Sequence, residues 1–206
     1  MVERGSRADA LAQPGSSPSR LRADAAANRE RILGAAERVF ATTDAGQVTM
    51  DQIAKAARVG RATLYRRFQT PAAVAVALLD EHERRLQEDL IRGDPPLGPG
   101  APPAERLAAF YAAMVRLLER HLHLALGAET GRARFRTGAY GFWRLHVRSL
   151  LVAGEIQDAD ATVDVVLAPL APELYDYQRH ELGLSQRRIA RSLADQAHRL
   201  FGQPAG

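Results

Sequence analysis

The sequence contains no cysteine, which excludes disulfide bonds, cysteine-ligated zinc and thiol nucleophiles. No apolar run reaches the roughly 20 residues that a transmembrane helix needs, so we expect no contact with a membrane. The first segment also lacks the apolar stretch of a secretory signal, and we expect the protein to stay in the cytoplasm. Because no Ser-His-Asp set, paired carboxylates or glycine-rich phosphate loop stands out, neither an enzyme nor a bound cofactor is predicted.

Lysine is almost absent too, since Lys55 is the only one and arginine supplies nearly all of the positive charge. Arginine side chains bind phosphate oxygens and guanine edges in a bidentate manner that lysine cannot match. The formal net charge is only +4, however, and a GC-rich genome would also enrich arginine. Composition alone therefore permits a nucleic-acid partner without requiring one.

Apolar residues recur at helical spacing along most of the chain, and strand-like alternation is missing, so the sequence predicts an all-α fold. We divide it into a disordered basic tail over residues 1–22, a helix-turn-helix DNA-binding domain over 23–71, and a helical effector-binding and dimerisation domain over 72–206. The tail is open to two interpretations, a solvated leader or an arm that lies along DNA phosphates or in a minor groove. Helices after the Pro/Gly-rich segment 93–103 are expected at about 104–125, 128–136, 139–156, 159–181 and 185–202, with Asp160 and Ser185 as N-caps.

Three short helices precede residue 70. Thr49 and Gln52 have the spacing of a capping box at the start of the second helix, and a break at residues 58–60 separates it from the third. Leu64 and Phe68 are expected to anchor the third helix against the first. Its opposite face would then present a set of mostly polar residues suited to a DNA major groove: Arg61, Ala62, Thr63, Tyr65, Arg66 and Arg67.

The run VTMDQIAKAARVGRATLYRRF, residues 48–68, closely resembles the N-terminal signature of the TetR family of regulators. That pattern has a Thr before the second helix, then an apolar residue, Ile and Ala, and after the turn Thr-Leu-Tyr with Phe three residues on. The matching residues are Thr49, Ile53, Ala54, Ala57, Thr63, Leu64, Tyr65 and Phe68. The resemblance covers roughly residues 28–80, and beyond that it extends only to the helix layout.

This resemblance implies a ligand-responsive repressor that binds a palindromic double-stranded DNA operator as a homodimer. Arg61, Ala62 and Thr63 match base-facing positions of the family. The residues that match backbone-facing positions are Thr49, Tyr65, Arg66 and Arg67, and Arg66 is also within reach of bases. For Arg67, a solvated surface charge is an equally good interpretation.

Two positions depart from the family pattern. The family usually has Gly in the turn where this chain has Arg58, and a left-handed Arg there would cost about 1–2 kcal/mol relative to Gly. A phosphate contact from Arg58 would offset part of that cost. The family also usually has Lys at the start of the fourth helix, touching phosphate, and Pro71 removes that contact.

An apolar stripe and an aromatic cluster in the C-terminal part predict a pocket for a small apolar or aromatic effector. Its candidate lining residues are Tyr111, Met114, Leu118, His121, Trp143 and His146. Ordinary core packing is the alternative for each of them. No metal site is predicted, because His121 and His123 point apart on a helix and no third ligand follows at a suitable spacing.

Stripes on the last two long helices predict a dimer interface in the form of a four-helix bundle. The residues assigned to it are Val163, Val166, Leu167, Leu170, Leu174, Ile189, Leu193 and Leu200. Part of each stripe is also expected to belong to the core of a single chain. Two functional alternatives stay open: an enzyme or carrier that has kept a helical head, and a protein-interaction module that has lost affinity for DNA.

Overall fold

The computed structural model describes residues 18–43, 47–128, 135 and 138–202, and over these residues it contains helices and no β-strand. This confirms the all-α prediction. The described ranges contain nine α-helices, in order: α1 Pro18–Thr42, α2 Met50–Ala57, α3 Arg61–Tyr65, α4 Pro71–Arg92, α5 Pro103–Ala128, α6 Gly138–Ala153, α7 Ala159–Leu167, α8 Pro172–Asp176 and α9 Gln186–Leu200.

The beginning of α1 revises one predicted boundary. Residues 1–17 lie outside the described residues, so most of the predicted tail stays a prediction. Helix α1 starts at Pro18, however, inside the segment that composition assigns to the tail. The short helix predicted over residues 128–136 also lies mostly outside the residues that the structure describes.

Side-chain caps set several of the helix starts. Thr70 accepts a hydrogen bond from the backbone N–H of Ala73 at 3.1 Å, and Pro71 occupies the first turn of α4, where its missing N–H is no loss. Ser185 accepts from the N–H of Arg188 at 3.3 Å and caps α9 as predicted. The predicted cap at Asp160 is wrong, because Asp158 holds that position and accepts from Ala161 at 3.1 Å.

The single helix predicted over residues 159–181 is also wrong, because prolines divide it. A 3₁₀ turn at Ala168–Leu170 contains Pro169, and the next helix begins at Pro172. Proline lacks the N–H that would continue the helix ladder and clashes with the preceding turn. A π-helical turn at Tyr177–Glu181 then leads out of α8.

Helix α5 lies at the centre of the C-terminal part and packs against α4, α6, α8 and α9. Helix α9 places its buried residues Ile189, Leu193 and Ala197 toward this packing. Helices α1 and α4 connect the N-terminal helices to the same continuous core. Within the described ranges, none of the helices is both long and apolar enough to cross a bilayer.

The predicted dimer stripes require a correction. Six of the eight residues are buried within one chain, namely Val163, Val166, Leu167, Leu170, Ile189 and Leu193. Side chains that already pack inside the protomer cannot supply an apolar surface to a second copy. Leu174 is 39% exposed and Leu200 is partly buried, so only these two stay accessible.

A buried tyrosine joins α5 to α7, and we expect its hydroxyl to be needed for stability. Tyr111 is 1% exposed and donates a hydrogen bond to the carbonyl of Val166 at 2.8 Å. Tyr111→Phe should lower the free energy of unfolding by about 1–2 kcal/mol, because it leaves a buried carbonyl unpaired. Urea unfolding measures this, with the exposed Tyr177→Phe as control. Equal stabilities of the two variants would contradict the prediction.

Candidate nucleic-acid interface

Helix α2 is fixed at its start by the predicted capping box. The N–H of Gln52 donates to Thr49 Oγ1 at 3.3 Å, while Gln52 Oε1 accepts from the N–H of Thr49 at 2.8 Å. Both residues are exposed at this end of the helix. The small residues Ala54 and Ala57 are buried, which allows close packing of the neighbouring helices.

The turn after α2 has a left-handed backbone at Arg58, the position where the family usually has Gly. Arg58 has φ 52° and ψ 45°, and its N–H donates to the carbonyl of Lys55 at 3.2 Å. The N–H of Val59 reaches the carbonyl of Ala54 at 3.1 Å, which completes the end of the helix. This turn directs the chain into α3 and leaves the Arg58 side chain exposed.

One side of helix α3 is packed against the core, and the other side is exposed to solvent. Leu64 is completely buried and Phe68 is 8% exposed, while Tyr65 is 49% exposed. We use the name recognition face for the outward set of Arg61, Ala62, Thr63, Tyr65, Arg66 and Arg67. All of these are exposed except Thr63, which is half-buried.

Two contacts orient side chains of the recognition face. Arg61 forms an ion pair with Asp51 on α2, and both side chains are largely exposed. Arg66 donates to Thr63 Oγ1 at 3.4 Å. The pairing with Asp51 was not predicted, because the two residues are ten apart and lie on different helices.

A basic cleft next to the turn was also missed. It has a volume of about 540 Å³ and lies between the end of α1 and α2. Its polar lining is Arg38, Thr42, Thr43, Gln52, Lys55 and Arg58. Arg38 lies far from the motif in sequence, and only the packing of α1 against α2 brings it close to Arg58. A capped α2, a tight turn and an open α3 have the geometry of a helix-turn-helix, a motif that many DNA-binding proteins place in the major groove.

Comparison with known proteins agrees with this geometry. Residues 32–78 match the family model described as bacterial regulatory proteins, tetR family. Over these residues the chain resembles the TetR family of transcriptional regulators. It is 36% identical over 103 residues to uncharacterised HTH-type transcriptional regulators from two strains of Mycobacterium tuberculosis, CDC 1551 and H37Rv. The alignment covers 50% of this chain and spans only about half the length of these curated relatives.

Solved structures resemble most of the chain in fold. The repressor NalD of Pseudomonas aeruginosa, a secondary repressor of the MexAB-OprM multidrug efflux pump, aligns with a TM-score of 0.54 and 20% identity. That alignment covers 86% of this chain and 96% of NalD. FadR of Bacillus subtilis, in complex with stearoyl-CoA, aligns with a TM-score of 0.55 and 17% identity over 82% of this chain and 96% of FadR. At these identities the likeness concerns the fold alone.

The six predicted effector residues are all buried in the C-terminal part, with exposures of 1–8%. Trp143 and His146 lie around Phe110, whose ring centroid is 5.8 Å from that of Trp143 and 5.4 Å from that of His146. His146 Nε2 is buried without a hydrogen-bond partner. This packing fits a compact core, and the role of these residues in effector binding stays a prediction.

His121 differs from the other five because it lines an open cleft between α1, α4 and α5. We call this the His82 cleft; its volume is about 310 Å³, and its polar lining is Glu37, His82, Arg85, Asp89, Arg116, Arg120 and His121. His121 is buried and His123 exposed, which confirms that these two point apart. Sequence spacing missed the neighbours of His121, because they come from two other helices.

We expect Arg58→Gly to stabilise the protein. Glycine adopts the left-handed conformation at φ 52° without the penalty that a β-carbon brings. The free energy of unfolding should rise by about 1 kcal/mol, measured by urea denaturation. Arg67→Gly is the control, since Arg67 is equally exposed but does not have a positive φ. A less stable Arg58→Gly variant would show that the arginine side chain itself supports the turn.

The buried histidines predict that acid destabilises the fold. Burial, together with the nearby Arg106, lowers the pKa of His146 from 6.5 to about 4. Between these values the unfolded chain binds a proton that the folded chain does not, so this contribution to stability is complete above about pH 6.5 and lost toward pH 4. His146→Gln should therefore flatten the pH dependence of the unfolding free energy in this window. An unchanged slope would contradict the assignment.

Proposed function

We propose that this regulator is a ligand-responsive repressor that binds a palindromic operator as a dimer. The observation that carries the proposal is the recognition face, held outward by the buried Leu64 on a helix whose first residues, Arg61 and Ala62, are exposed to solvent. A face of arginine, threonine and tyrosine can donate to guanine and phosphate oxygens in a major groove. The fold likeness to NalD, a repressor, supports the direction of regulation.

In this proposal Arg61, Ala62 and Thr63 contact bases. Before DNA binds, the ion pair with Asp51 holds the guanidinium of Arg61 near the N-terminus of α3. When DNA binds, Arg61 either breaks this ion pair or keeps it while it contacts a base. The residues Thr49, Arg58, Tyr65, Arg66 and Arg67 contact the phosphate backbone and set the position of α3 in the groove. Arg38 and Lys55, which line the neighbouring basic cleft, extend this phosphate-contacting surface.

Dimerisation through the C-terminal part would leave both recognition faces free. Several large apolar side chains that follow α5 in the chain are at least 39% exposed: Leu145, Val152, Val165, Leu174, Tyr177 and Leu182. Such residues favour a protein partner more than water. A symmetric pair of chains requires a symmetric operator, with half-sites about 34–36 Å apart if successive major grooves are bound.

An effector would act through α4, which begins after α3 and packs against α1 and α5. Binding among Tyr111, Trp143 and His146 requires their compact packing to open, and this would move α5 relative to α4. An effector shifts the balance only if it binds the open arrangement more tightly than the closed one. FadR in complex with stearoyl-CoA shares this fold, which supports ligand binding by a protein of this fold.

The decisive experiment begins with genomic DNA captured by the purified protein, followed by footprinting and binding measurements on the recovered duplex. Arg61→Ala combined with Tyr65→Phe should weaken binding by about 10–100-fold, as expected for lost base and phosphate contacts. Arg199→Ala, an exposed charge on α9, is the matched control and should bind like wild type. Full affinity in the double variant would overturn the assignment of α3.

Salt dependence separates this function from a protein-interaction module. Affinity for the duplex should fall steeply as salt is added, because each phosphate contact releases counterions. A flat response would favour the protein-interaction alternative. Sedimentation of the free protein, together with the symmetry of the footprint, tests the proposed dimer.

A further inference from the structure

A polar cluster lies where the DNA-binding helices meet the C-terminal part. Glu37 belongs to α1, His82 to α4 and His121 to α5, and one ligand-type atom of each lies within 4.8 Å of the other two. The rings of His82 and His121 stack with centroids 4.0 Å apart. Three elements distant in sequence thus bring two imidazoles and a carboxylate together.

One imidazole nitrogen of this cluster makes no hydrogen bond with the other residues that the structure describes. His82 Nε2 is buried and lies 3.3 Å from Glu37 Oε1, yet the direction of approach does not make a hydrogen bond. Unpartnered buried polar atoms are rare in folded proteins and call for an explanation such as an ion. The backbone of α5 is also distorted here, since His121 has φ −130° and ψ 22° within the helix.

The chemistry of the cluster matches that of a metal site. Burial lowers the pKa of His82 despite the opposing charge of Glu37, and with His82, His123 and Arg120 nearby it lowers the pKa of His121 to about 4. Neutral imidazole nitrogen and carboxylate oxygen are preferred ligands of Zn²⁺.

We propose that Glu37, His82 and His121 form a binding site for a divalent transition-metal ion, of which Zn²⁺ fits the ligands best. Ligand atoms around a tetrahedral Zn²⁺ lie roughly 3.3 Å apart. To bind one ion, the stacked rings of His82 and His121 have to rotate so that a nitrogen of each points to a common centre. All three residues line the His82 cleft, which offers a route for the ion and room for a water ligand. This site is independent of the proposed function.

The arginines of the cleft do not exclude a cation. Arg85, Arg116 and Arg120 line it, but the acidic side chains of Glu37 and Asp89 do so too. Arg85 also lies 3.7 Å from Glu81, on the same helix. The cleft is open to solvent, which screens these charges, and the arginines favour an anion as an additional ligand of the bound ion.

A metal bound here would link α1 directly to α4 and α5. The same surface of α1 already contacts α4 through Arg29 and Glu81, whose side chains are 3.0 Å apart. A metal–ligand link is more rigid than this partly exposed ion pair. The full-length protein should therefore unfold at a higher temperature when Zn²⁺ is present.

The test uses the full chain, freed of metal with a chelator and titrated with ZnSO₄ in a calorimeter at neutral pH. Wild type should bind one Zn²⁺ per chain and show a raised Tm. Co²⁺ should give the intense visible absorption of a low-symmetry, four-coordinate site. Glu37→Gln and His82→Gln should each weaken Zn²⁺ binding at least tenfold, since even outer-shell changes cost about 10–100-fold.

Two control variants keep the result interpretable. His123→Gln changes a histidine two positions from His121 that lies outside the cluster. His180→Gln removes an exposed pair with Asp176, at 2.6 Å, that could capture zinc by itself. Both controls should bind Zn²⁺ like wild type. Absence of binding by wild type, or its loss in His180→Gln with retention in Glu37→Gln and His82→Gln, would overturn the proposal.

Discussion

The attachment of α3 to the rest of the protein is the constraint on which the DNA-binding surface depends. A helix of five residues has no stability of its own in water. It persists because Leu64 is fully buried and Phe68 nearly so, against a core that includes α1 and α2. Since these two side chains fix the rotation of the helix, they also decide that Arg61 and Tyr65 face outward.

The second constraint is that the N-terminal helices and the C-terminal part share one core. Buried residues run without interruption from Ile32 on α1 through Leu78 on α4 to Phe110 on α5. Polar contacts follow the same seam, where Arg29 pairs with Glu81 and Glu37 approaches His82. Because α4 packs against both α1 and α5, a rearrangement around α5 would reach α1 through packed side chains.

The sequence was most informative where structure is determined locally. The capping box at Thr49 and the cap at Ser185 depend on residues three apart, so they were predicted and confirmed. Predictions failed where two local signals competed: the apolar stripe over 159–181 is helical in spacing, but Pro169 and Pro172 interrupt it. The apolar stripe on α9 was predicted correctly. Periodicity alone does not show, however, whether such a face packs against α5 of the same chain or against a second chain.

The parts of the candidate sites that escaped prediction are contacts between helices. The pairing of Arg61 with Asp51, the position of Arg38 beside Arg58, and the meeting of His82 with His121 each join residues from different elements. No spacing rule within one helix can reveal them, since rules of three and four residues describe only one helix face. The resemblance to the TetR family identified α3 but not these contacts, because family patterns record residue types along the chain and not their neighbours across it. The polar residues that sequence left unassigned thus lie where helices cross, and there the structure adds most to the functional account.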